Sequence, residues 1–252
     1  MSDRPPALFA PRDILLALAL LTRLPVRADG ARMARAPWAW PLAGVAVAFC
    51  AAAVGWGALW AGLPAGLAAG VALGVQIMAT GAMHEDGLAD SADGLWGGWD
   101  RARRLDIMHD SHIGTYGVIA LILGLGLRWG ALSTLFATGA VFAPLLAVAA
   151  LSRAPMAVLM TVMPNARGSG LSAGLGRPLP GTSLAACVVA LAVAALALGP
   201  VAAGIAALAT MAGAGTVAAI ARVKIGGQTG DILGASQQIS EIAVLAVLVA
   251  LI

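Results

Sequence analysis

The chain has 252 residues, of which 60% are hydrophobic and only 11% charged, with a formal net charge of +3. A soluble domain usually carries about 25% charged residues, so a mean hydropathy of +0.91 excludes an ordinary water-soluble globule. The basic balance does not indicate a nucleic-acid partner either, because the arginines are dispersed at the ends of apolar runs instead of forming one patch.

Apolar runs near 20 residues recur, and each is long enough to cross about 30 Å of hydrocarbon. They predict an all-α, polytopic membrane bundle forming a single domain over 1–252. About seven spans are expected, at 37–60, 66–83, 113–127, 131–152, 182–198, 201–221 and 232–252. The third is short and needs help from its flanks. The segment 13–24 is too short to span and contains Arg23, so it reads as a short interfacial or re-entrant helix. No cleavable signal peptide is expected at the N-terminus.

Basic residues orient the chain. Arg4, Arg12, Arg23, Arg27, Arg32 and Arg35 precede the first span, and Arg101, Arg103 and Arg104 follow the second. Arg153, Arg167 and Arg177 surround the loop after the fourth, and Arg222 and Lys224 follow the sixth. Only Arg128 falls on the opposite face. Positive charge marks the cytoplasmic side. The expected location is therefore a bacterial inner membrane, with the N-terminus and polar loops cytoplasmic and the C-terminus outside.

Small residues such as Gly62, Gly66, Gly70 and Gly74 form a stripe suited to close helix packing within the chain. Cys50 and Cys187 lie inside spans without ligand-like spacing and read as packing residues. No internal or inverted repeat is evident, which weakens a transporter reading.

The polar residues are concentrated in one place. Seven of the twelve acids and all three histidines lie in HEDGLADSADGLWGGWDRARRLDIMHDSH, residues 84–112. This cytoplasmic segment is where catalysis is expected. Asp86, Asp90 and Asp93 are spaced i, i+4, i+7, so a helix would place three carboxylates on one face. Their mutual repulsion is relieved by a divalent cation, and oxygen-only ligands suit Mg²⁺ better than zinc. Asp106 and Asp110 repeat the i, i+4 spacing, with Arg103 and Arg104 available for phosphate oxygens. His109, beside Asp110, is a candidate general base. His84, His109 and His112 form no recognisable zinc pattern.

The Gly-rich turn 226–231 ends in Asp231, a further candidate metal ligand, and its Gly227, Thr229 and Gly230 can offer backbone N–H groups to phosphate. Glu241, inside the last span, requires a partner or a cavity.

These residues resemble a known family. His84-x-Asp86-Gly87-x-Ala89-Asp90-x-x-Asp93-Gly94, then Arg104-Leu105-x-Ile107-Met108-x-Asp110-Ser111-x-x-Gly114-Thr115-Tyr116-Gly117, resemble the adenosylcobinamide-GDP ribazoletransferase, or cobalamin synthase, family. The similarity extends to Leu21-Thr22-Arg23-Leu24-Pro25-Val26, to Pro41-Leu42-x-Gly44, to Arg167, and to Gly227-x-Thr229-Gly230-Asp231-x-x-Gly234-Ala235. It spans nearly the whole chain in order.

The resemblance implies a Mg²⁺-dependent membrane phosphotransferase acting on adenosylcobinamide-GDP and α-ribazole or its 5′-phosphate. The ribose 3′-hydroxyl attacks the phosphate on cobinamide and GMP leaves, giving adenosylcobalamin or its 5′-phosphate. On that reading Asp86, Asp90, Asp93 and Asp231 hold metal, and Arg103, Arg104 and Arg167 neutralise phosphate. Asp110 completes the metal site or accepts the proton. A second copy of the chain, or other cobalamin-assembly enzymes, are the protein partners it admits. Two departures stand out: Glu85 where the family is usually apolar, and His109 where lysine is expected.

Two rivals share part of the pattern. CDP-alcohol phosphotransferases are echoed by Asp90-x-x-Asp93-Gly94 and Asp106-x-x-x-Asp110, but Gly97-Gly98 stands where Ala-Arg should follow and the spacing is wrong. A membrane transporter would place ionisable residues near mid-bilayer, whereas the acids here are expected in a cytoplasmic loop.

Overall fold

The computed structural model describes residues 8–28 and 30–252; Arg4, counted among the basic residues above, lies outside them. Among the described residues there is no strand, and the chain is a multi-pass helical membrane protein.

A short α1 (Arg12–Leu21) opens the fold, too short to cross a bilayer. Its buried Asp13 anchors it to the following 3₁₀ segment (Gly30–Ala39). Arg32 donates to Asp13 through Nε at 2.8 Å and Nη2 at 3.0 Å, and Trp38 Nε1 donates at 2.9 Å. Salt-bridged and hydrogen-bonded in this way, the Asp13 carboxyl stays below the usual carboxylate range even though burial opposes ionisation.

α2 (Trp40–Trp60) starts with Pro41 in its first turn, where a missing N–H costs nothing. Gly44 lets it close on α7 (Phe142–Val162): a Cβ at that position would stand 2.5 Å from the Ala149 carbonyl. α3 (Ala65–Thr80) and α4 (Met83–Gly97) are jointly apolar enough to span and meet at a bend of 85°. The bend sits at Gly81 and Ala82, both left-handed at φ 64° and 58°. For the non-glycine Ala82 that conformation costs about 1–2 kcal/mol. Along α3, the Trp129 indole packs over Gly66 and Gly70 and donates to the Gly66 carbonyl at 2.7 Å, while nothing approaches Gly74. Part of the glycine stripe therefore serves packing within the chain.

The rest of the bundle follows as α5 (Arg101–Ile107), α6 (Thr115–Ala137), α7, α8 (Leu171–Leu175), α9 (Pro180–Leu198), α10 (Pro200–Ile225) and α11 (Gly230–Ala250). Among the described residues six helices are individually long and apolar enough to span, and counting the bent α3–α4 pair as one span gives seven. α11 is the hub, packed on α4, α6, α7 and α10.

Three expectations are corrected. The spans placed at 113–127 and 131–152 are α6 and α7, whose bounds are Thr115–Ala137 and Phe142–Val162. Arg128 is no loop residue: it lies inside α6 at 2% exposure. Its guanidinium donates to Glu85 at 2.7 Å, Gln238 at 3.0 Å, Gln76 at 3.0 Å and Glu241 at 3.1 Å, so two carboxylates offset its charge inside the bundle. Arg153 likewise lies within α7, its Nη1 donating to the Ala149 carbonyl at 3.0 Å. Ionisable residues thus do occur inside the bundle, against the expectation that the acids gather outside it. The cavity among them is about 10 Å³, room for about one water. Finally, 84–112 is not an open loop, because its first half is helix α4, packed on α6 and α11.

Cys187 is partly buried against the core, as a packing residue should be, but Cys50 is exposed on α2.

Candidate active site

Where α4 passes α11, both helices carry glycine. A Cβ on Gly87 would stand 2.8 Å from the Asp231 carbonyl and 3.1 Å from the Gly234 Cα, so only backbone fits at the crossing. This contact sets Asp86 and Asp90 of α4 beside Asp231 in the first turn of α11. Asp90 lies within electrostatic reach of Asp86, Asp231 and Asp93, and Asp231 of Asp86, with Arg167 the cation among them. Asp86 is exposed, and Asp90 and Asp231 are half-buried.

Arg167 arrives on a loop that pairs with the Gly-rich turn. Gln228 N donates to the Pro164 carbonyl at 2.9 Å, and Ala166 N donates to the Gln228 carbonyl at 2.8 Å. Gly227 is needed here because a Cβ would collide with the Pro164 carbonyl. Gly226 ends α10 in the left-handed region at φ 75°. Thr229 caps α11 by accepting from Ile232 N at 3.3 Å, and its hydroxyl donates to Asp231 at 3.1 Å. Arg167 Nη2 then donates to the same Asp231 oxygen at 3.0 Å, while its buried Nε has no partner. Gly230, the first residue of α11, completes the turn.

The other candidate residues are placed differently. Asp93 is turned to the start of α6, where its two oxygens accept from Gly114 N at 2.7 Å and Gly117 N at 2.9 Å. Those are orphan donors of a helix N-terminus, a favourable seat for a carboxylate. Arg104 donates to the Gly98 carbonyl at 3.0 Å and the Lys224 carbonyl at 3.0 Å, holding α5 to the end of α10. Arg103 and Asp106 are exposed on α5. His109 and Asp110 stand exposed just after α5, with Asp110 2.6 Å from the His112 ring.

Arg101 was overlooked as a site residue. It donates to the Ile225 carbonyl at 2.8 Å and the Ala166 carbonyl at 2.9 Å, bracing the loop that carries Arg167.

Among the described residues no three His, Cys, Asp or Glu side chains converge into a ready-made metal cage. Mg²⁺ is usually held by one or two carboxylates, with water and substrate phosphate completing its shell, and does not require such a cage. Three carboxylates offset by one arginine leave excess negative charge, and an unpartnered guanidinium N–H lies next to it. A divalent cation and a phosphate fit this donor set together.

A polytopic helical bundle with clustered carboxylates and an arginine at one end of its helices defines the class: a membrane-embedded protein equipped for phosphate chemistry. Residues 13–249 match the family model described as Cobalamin-5-phosphate synthase. The chain is 47% identical over 241 residues to the adenosylcobinamide-GDP ribazoletransferase of Bradyrhizobium diazoefficiens, covering 93% of this chain and 92% of that one. Its identity to the Mesorhizobium japonicum protein of the same name is 46% over 239 residues, covering 93% and 92%. The Rhizobium meliloti protein, also so named, is 43% identical over 262 residues, covering 94% and 95%. No solved structure gives a significant match. The chain belongs to the cobalamin-5-phosphate synthase family.

Proposed function

We propose that this chain transfers the cobinamide-phosphate group of adenosylcobinamide-GDP to the ribose 3′-hydroxyl of α-ribazole or its 5′-phosphate, releasing GMP. The observation that carries the chemistry is the Arg167–Asp231 ion pair at 3.0 Å, set by the Gly87–Gly234 crossing beside the helix that bears Asp86 and Asp90. Family membership supplies the substrates, through the names of its relatives.

Asp86, Asp90 and Asp231 would surround Mg²⁺, one or two of them as direct ligands. When bound, Mg²⁺ would offset the charge of the diphosphate and of the departing GMP oxygen. Arg167 has one N–H committed to Asp231 and its Nε free to bind a phosphate oxygen. The Thr229 cap keeps the first N–H groups of α11 oriented at the same place. Arg101 and Arg104 fasten α5 and the Arg167 loop to α10, so the phosphate-facing groups are held before substrate arrives.

We place the site on the cytoplasmic face of a bacterial inner membrane. The helix ends at 61–64, 138–141, 199–200 and 251–252 carry no charge, whereas Arg101, Arg103, Arg104, Arg167, Arg177 and Arg222 lie at the other end of the bundle.

Incubating the purified protein with adenosylcobinamide-GDP, α-ribazole and Mg²⁺ tests the proposal. GMP release that depends on both organic substrates is expected, and turnover of a CDP-alcohol in their place would favour the phospholipid-type rival.

A further inference from the structure

Beneath α8 lie two cavities that the cluster described above does not use. One, about 50 Å³, is walled by Leu20, Leu21, Trp40, Met83 and Leu233 and reaches His84. The other, about 100 Å³, lies among Met160, Met163, Asn165 and Gln228. Ser172 lines both, so α8 is the partition between them.

Three residues lining these cavities carry a buried polar atom with no partner: Trp40 (Nε1) and His84 (Nε2) on the first, and Gln228 (Oε1) on the second, His84 also lining the small cavity around Arg128. These residues are only 2%, 2% and 3% exposed. Buried polar atoms are nearly always satisfied, so an unmatched set around one space points to a ligand that brings the missing partners. The rest of the first cavity's wall is mostly leucine, methionine and glycine, which favours an apolar body, whereas the second also carries Asn165 and Arg177 at its edge.

The position is also informative. Gly230 and Gly234, which line the first cavity, flank Asp231 on α11, and Met83 lies one turn before Asp86 on α4. A group seated here adjoins the carboxylate cluster.

α8 is a short element set between glycines. It has five residues, with Gly168 (φ 75°) and Gly170 (φ 86°) before it and Gly176 (φ 77°) after it. Ser172 is tethered by one side-chain bond, from Asn165 Nδ2 at 2.8 Å. Lifting α8 would merge the two cavities into one space of at least about 150 Å³.

We propose that the space under α8 is the subsite for the bicyclic aromatic base of the attacking nucleoside, with α8 as its lid. The inference rests on the reaction proposed above. The Trp40 indole N–H donates to the free ring nitrogen of the base, and the apolar walls sandwich its faces. The ribose is thereby presented toward Asp86, Asp90 and Asp231.

The test is equilibrium binding of α-ribazole to the purified protein without corrinoid or Mg²⁺, followed by its fluorescence, beside steady-state kinetics. Ser172→Trp fills the space from the lid side. It should raise both the Kd and the KM for α-ribazole at least tenfold while leaving the KM for adenosylcobinamide-GDP within twofold. Should Ser172→Trp accumulate poorly, Trp40→Phe removes the N–H alone and should raise the α-ribazole KM at least threefold, again selectively. GMP release by Ser172→Trp at the wild-type α-ribazole KM overturns the subsite while the reaction stands. Binding of α-ribazole that Ser172→Trp weakens, with no GMP from the wild type, upholds the subsite and overturns the reaction.

Discussion

Gly87 of α4 and Gly234 of α11 cross backbone to backbone, with a Cβ on Gly234 due to stand only 3.2 Å from the Gly87 Cα. Asp86 and Asp90 owe their place beside Asp231 to this contact.

Gly87→Ala should therefore cost activity more than stability. The new methyl meets only backbone atoms, so the helices must separate and Asp231 moves relative to Asp86 and Asp90. A shift near 1 Å at a reacting centre can cost about 100-fold, and a loss of that order in GMP release is expected. Gly74→Ala is the control, since its Cβ would meet nothing within 4 Å. Wild-type rates from Gly87→Ala protein would show that the crossing does not set the site.

Arg128→Met should unfold more readily than wild type. It strips Glu85 and Glu241 of their cation inside the bundle, and breaking a buried pair from one side costs about 3–5 kcal/mol. Adding Glu241→Gln should recover part of the loss, because one uncompensated carboxylate is then gone. Thermal unfolding in lipid nanodiscs reads both, and equal melting temperatures for Arg128→Met and wild type would refute the role.

The pair Asp110–His112 titrates in opposite directions. The Asp110 carboxylate raises His112 above its ordinary value, and its hydrogen bond with His112 holds Asp110 below the usual carboxylate range. The contribution of His112 is thus complete below its unfolded pKa and lost as pH rises through its elevated folded value. That of Asp110 is present above its unfolded pKa and lost as pH falls through its depressed one. Histidine NMR titration should show His112 returning toward about 6.5 in Asp110→Asn. A carboxylate held low is a weak proton acceptor, so Asp110→Asn should slow GMP release less than tenfold, below the roughly 10²–10⁴ that a general base supplies. A larger loss would return Asp110 to the catalytic role that its motif suggests.

The sequence made the helical bundle, the polar 84–112 segment and the spacing of Asp86 and Asp90 legible, because hydropathy and helical period are local properties. Arg128 and Arg153 were misplaced because counting positive charges treats every arginine as water-seeking. The partners that let Arg128 stay inside, Glu85 and Glu241, lie 43 and 113 residues away. Asp93 shares the spacing of Asp86 and Asp90, yet it meets the N–H groups of Gly114 and Gly117, 21 and 24 residues on, in a contact no periodicity reveals. The link from Arg167 to Asp231 spans 64 residues. Both residues were flagged by motif, but their ion pair required the fold.

Asp90→Asn tests the account most directly, because it removes one charge from the cluster and little bulk. GMP release from adenosylcobinamide-GDP and α-ribazole should fall about 100-fold or more, with a wild-type melting temperature and a higher Mg²⁺ requirement. Asp90→Asn protein that releases GMP as fast as wild type at the same Mg²⁺ concentration would contradict the claim that these carboxylates carry the chemistry.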